Sequence, residues 1–131
     1  MPRTIKILAI EGEEIILKSI TKALKGSASA EYAVTTANTA LDGLRLIRSN
    51  TFDAIFVDAA LAGLNSAEVL RRIKSTSPSV AIILMSGYLS AASFPDEVSR
   101  DIDGFLSKPF TTDEIRSLVS LILVENKGRR A

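Results

Sequence analysis

The chain of 131 residues contains neither cysteine nor histidine. The first absence excludes disulfides and thiolate-bound metals. The second excludes histidine triads, histidine-ligated zinc and any role as a histidine-bearing phosphodonor. No apolar run approaches the roughly 20 residues of a membrane-spanning helix. The opening Met-Pro-Arg-Thr-Ile-Lys superficially resembles a signal peptide, but Glu11 stops the apolar Ile7–Ile10 after four residues. That is too short for an h-region, and a soluble, cytoplasmic chain without membrane contact is expected. Neither Gly-x-x-x-x-Gly-Lys nor Gly-x-Gly-x-x-Gly occurs, so nucleotide binding has no support. A basic footprint for nucleic acid is also missing. Setting aside Lys127, Arg129 and Arg130 near the end leaves 13 of the 16 basic residues against 15 acidic ones. What is plentiful is apolar: 47% of the chain is hydrophobic, which excludes disorder and suits one domain with a real core.

Strand-like and helix-like patterns alternate five times, with no repeat and no linker between them. The strand candidates are Ile5–Ile10, Glu31–Thr36, Asp53–Asp58, Val80–Met85 and Gly104–Ser107. Short bounded apolar runs of this kind read as strands buried on both faces. One helical face is marked by Ile16, Ile20, Ala23 and Leu24, a second by Ala40, Leu44 and Ile47. Val69, Leu70 and Ile73 mark a third, and Ile115, Leu118, Val119 and Ile122 the last. Alternating βα units imply a parallel sheet covered by helices on both faces. Asn65 with Glu68 resembles a capping box, and Thr111 or Thr112 before Asp113 and Glu114 opens the last helix. Gly26 suits the stop of the first helix. Pro95 interrupts the fourth, so a long loop to about Phe94 and a short helix from Pro95 to about Asp101 are expected. The polar stretch Asn126–Ala131 reads as a disordered tail after a single domain over residues 1–125.

Three of the apolar runs end in different reactive side chains: Asp58, Ser86 and Lys108, the last followed by Pro109. Each has an ordinary explanation alone. Asp58 suits an Asx-turn or helix cap, Ser86 before Gly87 is common loop chemistry, and most lysines are simply solvated. Their conjunction says more. In open α/β sheets ligands bind beyond the carboxyl ends of the strands, so the three would meet on one rim. A fourth group, Glu11, ends the first strand. A carboxylate nucleophile beside a hydroxyl and an ammonium suits the handling of a phosphoryl group.

Four segments in order resemble the receiver domain of two-component response regulators. They are Ile-Leu-Ala-Ile-Glu-Gly-Glu-Glu, Phe-Asp-Ala-Ile-Phe-Val-Asp, Ile-Ile-Leu-Met-Ser-Gly-Tyr and Asp-Gly-Phe-Leu-Ser-Lys-Pro-Phe, and the likeness runs from Ile5 to about Val124. The resemblance implies a flavodoxin-like, five-stranded parallel sheet in order 2-1-3-4-5 with five helices. It implies Asp58 as phosphoacceptor, Ser86 and Lys108 as phosphate-binding groups, and Ser86 and Phe105 as switch residues. Magnesium would be held by Glu11, Asp58 and the Ala60 carbonyl, and the Lys108–Pro109 bond would be cis. The implied partners are a histidine kinase or phosphotransfer protein. The implied role is signalling, without enzymatic activity beyond the chain's own phosphotransfer and dephosphorylation.

One departure bears on the chemistry. Receivers usually carry two adjacent acids after the first strand, and here those positions are Glu11 and Gly12. Magnesium is expected to bind more weakly in consequence, with Glu13 a further candidate ligand. The loop after Asp58 lacks its usual proline, reading Leu61-Ala62-Gly63-Leu64-Asn65-Ser66. Other phosphate-handling proteins fit less well. Glu11, Glu13 and Glu14 would repel the phosphate of a bound flavin, and a haloacid-dehalogenase-type phosphatase needs its aspartate where Glu11 stands. The remaining alternative is a pseudo-receiver that keeps the fold and signals by protein contact alone. Leu121 and Val124 fall off the core stripe of the last helix; with Phe105 they suit a homodimer or effector face, and the ordinary alternative is that they only cover the tail. No effector segment follows that helix, which fits both a single-domain regulator and a receiver cut from a longer chain.

Overall fold

The computed structural model describes residues 4–28, 30–61, 66–87 and 96–130, with side chains left aside at 66, 97 and 124–130. Five strands alternate with five helices: β1 (Ile5–Ile10), α1 (Glu14–Lys25), β2 (Tyr32–Ala37), α2 (Ala40–Ser49), β3 (Ala54–Asp58), α3 (Ser66–Thr76), β4 (Ala81–Ser86), α4 (Asp96–Ser99), β5 (Gly104–Ser107) and α5 (Thr112–Arg130). All strand pairs are parallel, in the order β2-β1-β3-β4-β5. The expected fold class is therefore the observed one. Strand limits differ from expectation by at most a residue at either end.

The sheet is buried on both faces because alternate side chains enter two separate cores. Ile7, Ala9, Phe56, Ile83 and Leu106 pack with α1 and α5, through Leu17, Ile20, Leu24, Ile115, Val119 and Ile122. Leu8, Ile10, Ile55, Val57, Ile82 and Leu84 pack on the opposite face with Leu44 and Ile47 of α2, Leu70 and Ile73 of α3, and Val98 of α4. Two helices thus cover one face and three the other.

Helix ends show which signals did the work. Thr111 and Glu114 make a reciprocal capping box, each side chain accepting the other's backbone N–H at 3.1 Å, which makes Thr111 the cap of α5. Thr39 caps α2 by accepting Asp42 N–H at 3.1 Å. Gly26 does end α1, but with φ of −81°, so no left-handed turn calls for glycine there. A Cβ would lie 2.6 Å from the end of the Arg116 guanidinium, whose Nε donates to the Ala23 carbonyl at 2.7 Å. That contact ties α5 to the negative end of α1. The fourth helix is a single turn; Pro95 and the expected loop before it lie outside the described residues, as does Asn65. α5 continues to Arg130, into the Asn126–Ala131 stretch expected as a tail, where Lys127, Arg129 and Arg130 are good helix formers.

Two aspartates bind the lower edge of the sheet. Asp53, just before β3, accepts Lys6 N–H at 2.8 Å and donates its own N–H to the Lys6 carbonyl at 2.7 Å. Asp103, just before β5, does the same with Ile82, at 2.9 and 2.8 Å. Both fix neighbouring strands in register, and so set the heights at which the opposite rim presents its side chains.

Candidate phosphoryl site at the carboxyl rim

Register explains why distant residues meet. Ile10 lies opposite Val57, so Glu11 and Asp58, each one residue further on, come level at the rim. Ser86 lies opposite Ser107, and Lys108 N–H donates to the Ser86 carbonyl at 2.8 Å. Lys108 thereby leaves β5 at the height of the two acids, followed by a cis bond to Pro109. Its ammonium donates to Glu11 Oε2 at 2.7 Å and lies 3.4 Å from Asp58 Oδ1. Three residues separated by up to 97 positions are thus joined by one cation.

Burial decides how strongly they act on each other. The Glu11 side chain is 1% exposed, Asp58 12% and Lys108 16%. Burial pushes the Glu11 carboxyl above its ordinary range; the Lys108 hydrogen bond works against this, and the Asp58 charge adds to it. For Lys108 burial pulls downward, yet the hydrogen bond to Glu11 and the charge of Asp58 outweigh it, and its pKa is raised. The ammonium therefore stays charged at neutral pH while held between two acids.

The remaining candidates are placed as follows. Ser86 is buried at the end of β4, between the strands that deliver Asp58 and Lys108. Phe105 is half-buried against the core of α2, α3 and α4. Asp58 Oδ1 also accepts Ala60 N–H at 3.3 Å, so the ordinary Asx-type turn and the ion pair share one oxygen. Glu13 has an exposed side chain and instead offers its N–H to Glu11 Oε1 at 3.2 Å. This backbone contact was not legible in the sequence, because only the start of α1 turns that N–H inward.

The donor set does not fit a divalent ion as it stands. Both Glu11 oxygens already accept hydrogen bonds, and Gly12 adds no ligand. Among the described residues no three acidic side chains gather where they could hold a metal. Nor, among them, is any helix long and apolar enough to cross a membrane.

The all-parallel order β2-β1-β3-β4-β5 is the one expected of a receiver domain. The family model for the response regulator receiver domain matches residues 7–120, and the chain belongs to that family. The response regulator MprA of Mycobacterium leprae is 24% identical over 122 residues, 93% of this chain and 52% of that protein. The chain thus spans about half the length of such curated relatives, and less of the transcriptional regulatory protein ZraR of Klebsiella oxytoca, where 27% identity covers 73% of this chain and 22% of that one. Its fold is that of the response regulator receiver domain from Methanospirillum hungatei JF-1. The TM-score is 0.83 at 23% identity, over 97% of this chain and 99% of that chain.

Proposed function

We propose that the chain accepts a phosphoryl group on Asp58 from a phosphorylated histidine kinase or phosphotransfer protein and so switches a protein-interaction face. The observation that carries this reading is the Lys108 ammonium, 3.4 Å from Asp58 and 2.7 Å from Glu11. An Asp58 oxygen attacks phosphorus, the bond from phosphorus to the donor's imidazole nitrogen breaks, and the imidazole leaves with that electron pair. The product is an aspartyl phosphate. Negative charge on the transferring oxygens is met by the ammonium, which is already in place and needs little reorganisation. Ser86, at the end of the strand between Asp58 and Lys108, is the hydroxyl that follows the phosphoryl group, and Phe105 the aromatic residue that responds.

The output face in this reading comprises Phe105 and α5, where Leu121 is 58% exposed; the Val124 side chain lies outside the described residues. A second copy or an effector would bind there. The module, residues 1–125, would work in the cytoplasm and turn over no separate substrate. Incubation with acetyl phosphate followed by intact mass measurement tests the reading. The wild type should gain one phosphoryl group and Asp58→Asn none. The phosphorylation-independent alternative rests on the shorter of the two lysine bonds going to Glu11; it predicts partner binding that Asp58→Asn leaves unchanged.

A further inference from the structure

We propose that Lys108 is the resident cation of this pocket, holding the electrostatic place of a divalent ion, so that the resting chain takes up no magnesium at millimolar concentration. The proposal rests on the reading of Asp58 as phosphoacceptor for its consequence, while its geometry stands alone. Two carboxylates and one ammonium leave the cluster at a net charge of −1. Glu11, the more buried acid, is committed at both oxygens, to Lys108 at 2.7 Å and to Glu13 N–H at 3.2 Å. A magnesium ion seeking Glu11 must compete with an ammonium already bonded to that buried carboxylate and shed water that it gives up reluctantly. Losing that bond leaves Lys108 only its longer contact to Asp58, in a pocket that burial has made costly for a poorly paired charge. Glu13 and Glu14 add negative charge nearby, but both are exposed and hydrated.

Gly12 is the position that decides the balance. A side chain built there meets nothing within 4 Å, so an aspartate can be added without a clash. It would add a third carboxylate at the rim, directly after Glu11, and take the net charge of the cluster, lysine included, from −1 to −2. The positive charge in the present site comes from the protein itself, and transfer to Asp58 should not depend on added metal.

Calorimetric titration of the full chain with magnesium chloride, and melting curves against sodium chloride of equal ionic strength, test this. The wild type should give no saturable heat and no magnesium-specific rise in melting temperature. Gly12→Asp should give both, with a shift of several degrees at saturation. Saturable binding by the wild type that Glu11→Gln abolishes would overturn the proposal, as would Gly12→Asp behaving like wild type. Should Gly12→Asp fail to fold, the wild-type titration decides alone. Labelling with acetyl phosphate in EDTA and in magnesium separates this proposal from the phosphoacceptor reading. Equal labelling in both supports the two together, and labelling only with magnesium overturns the resident cation alone. Absence of labelling in both overturns the phosphoacceptor reading, and the titration still decides the cation.

Discussion

Glu11 is an ionisable side chain kept almost wholly from water, and its neighbours only partly compensate. Its carboxyl is raised above 4.5, so between 4.5 and the raised value the folded chain binds more protons than the unfolded one. The stability this group contributes is present below 4.5 and is lost as pH rises through the raised value. Glu11→Gln carries no such charge, so its stability should gain on the wild type as pH rises from below 4.5 to neutrality. Urea titrations at both ends of that range check the sign. Lys108→Met should cost about 3 kcal/mol at neutral pH, the lower end for breaking a buried pair, because it strands Glu11. A loss below about 1 kcal/mol would mean that the pair behaves as a surface bridge. At this scale the sequence was partly legible. Asp58, Lys108 and Glu11 stood out because each ends an apolar run. That Lys108 pairs more closely with Glu11 than with Asp58 was not, because it depends on the register of three strands.

Elements were legible where burial pattern and end signals agreed, as in α5, and less so where packing set the rule. Gly43 lies in α2 against Ile10, and a Cβ there would overlap the Ile10 side chain, coming within 2.8 Å of its Cγ1. Alanine would gain about 1 kcal/mol from helix propensity. Overpacking a filled core costs about 1–3 kcal/mol. Ile10 is fully buried and has nowhere to move, so Gly43→Ala should lower the melting temperature, against the propensity scale. Gly26 also meets a distant residue, since a Cβ there would press on the end of the Arg116 side chain, more than 80 residues away in sequence. No local pattern could reveal that. Leu121 tests α5 from the outside: at 58% exposure, Leu121→Asp should change stability by no more than about 0.5 kcal/mol. If α5 is the output face, the same substitution should weaken self-association or effector binding in sedimentation and pull-down. Unchanged association with and without phosphorylation would remove α5 from the interface.

Across the whole molecule, structure and chemistry are divided between the two ends of one sheet. Asp53 and Asp103 fix neighbouring strands at the lower edge, and Glu11, Asp58 and Lys108 meet at the upper rim. A small group of rim side chains therefore inherits its geometry from two packed cores. The central claim is that Asp58 takes the phosphoryl group. Reducing the acetyl-phosphate-treated chain with borohydride converts an aspartyl phosphate to homoserine, and peptide mass mapping then locates it. The account predicts homoserine at position 58 alone, and none in Asp58→Asn. Homoserine at another aspartate, or none in the wild type, would contradict it.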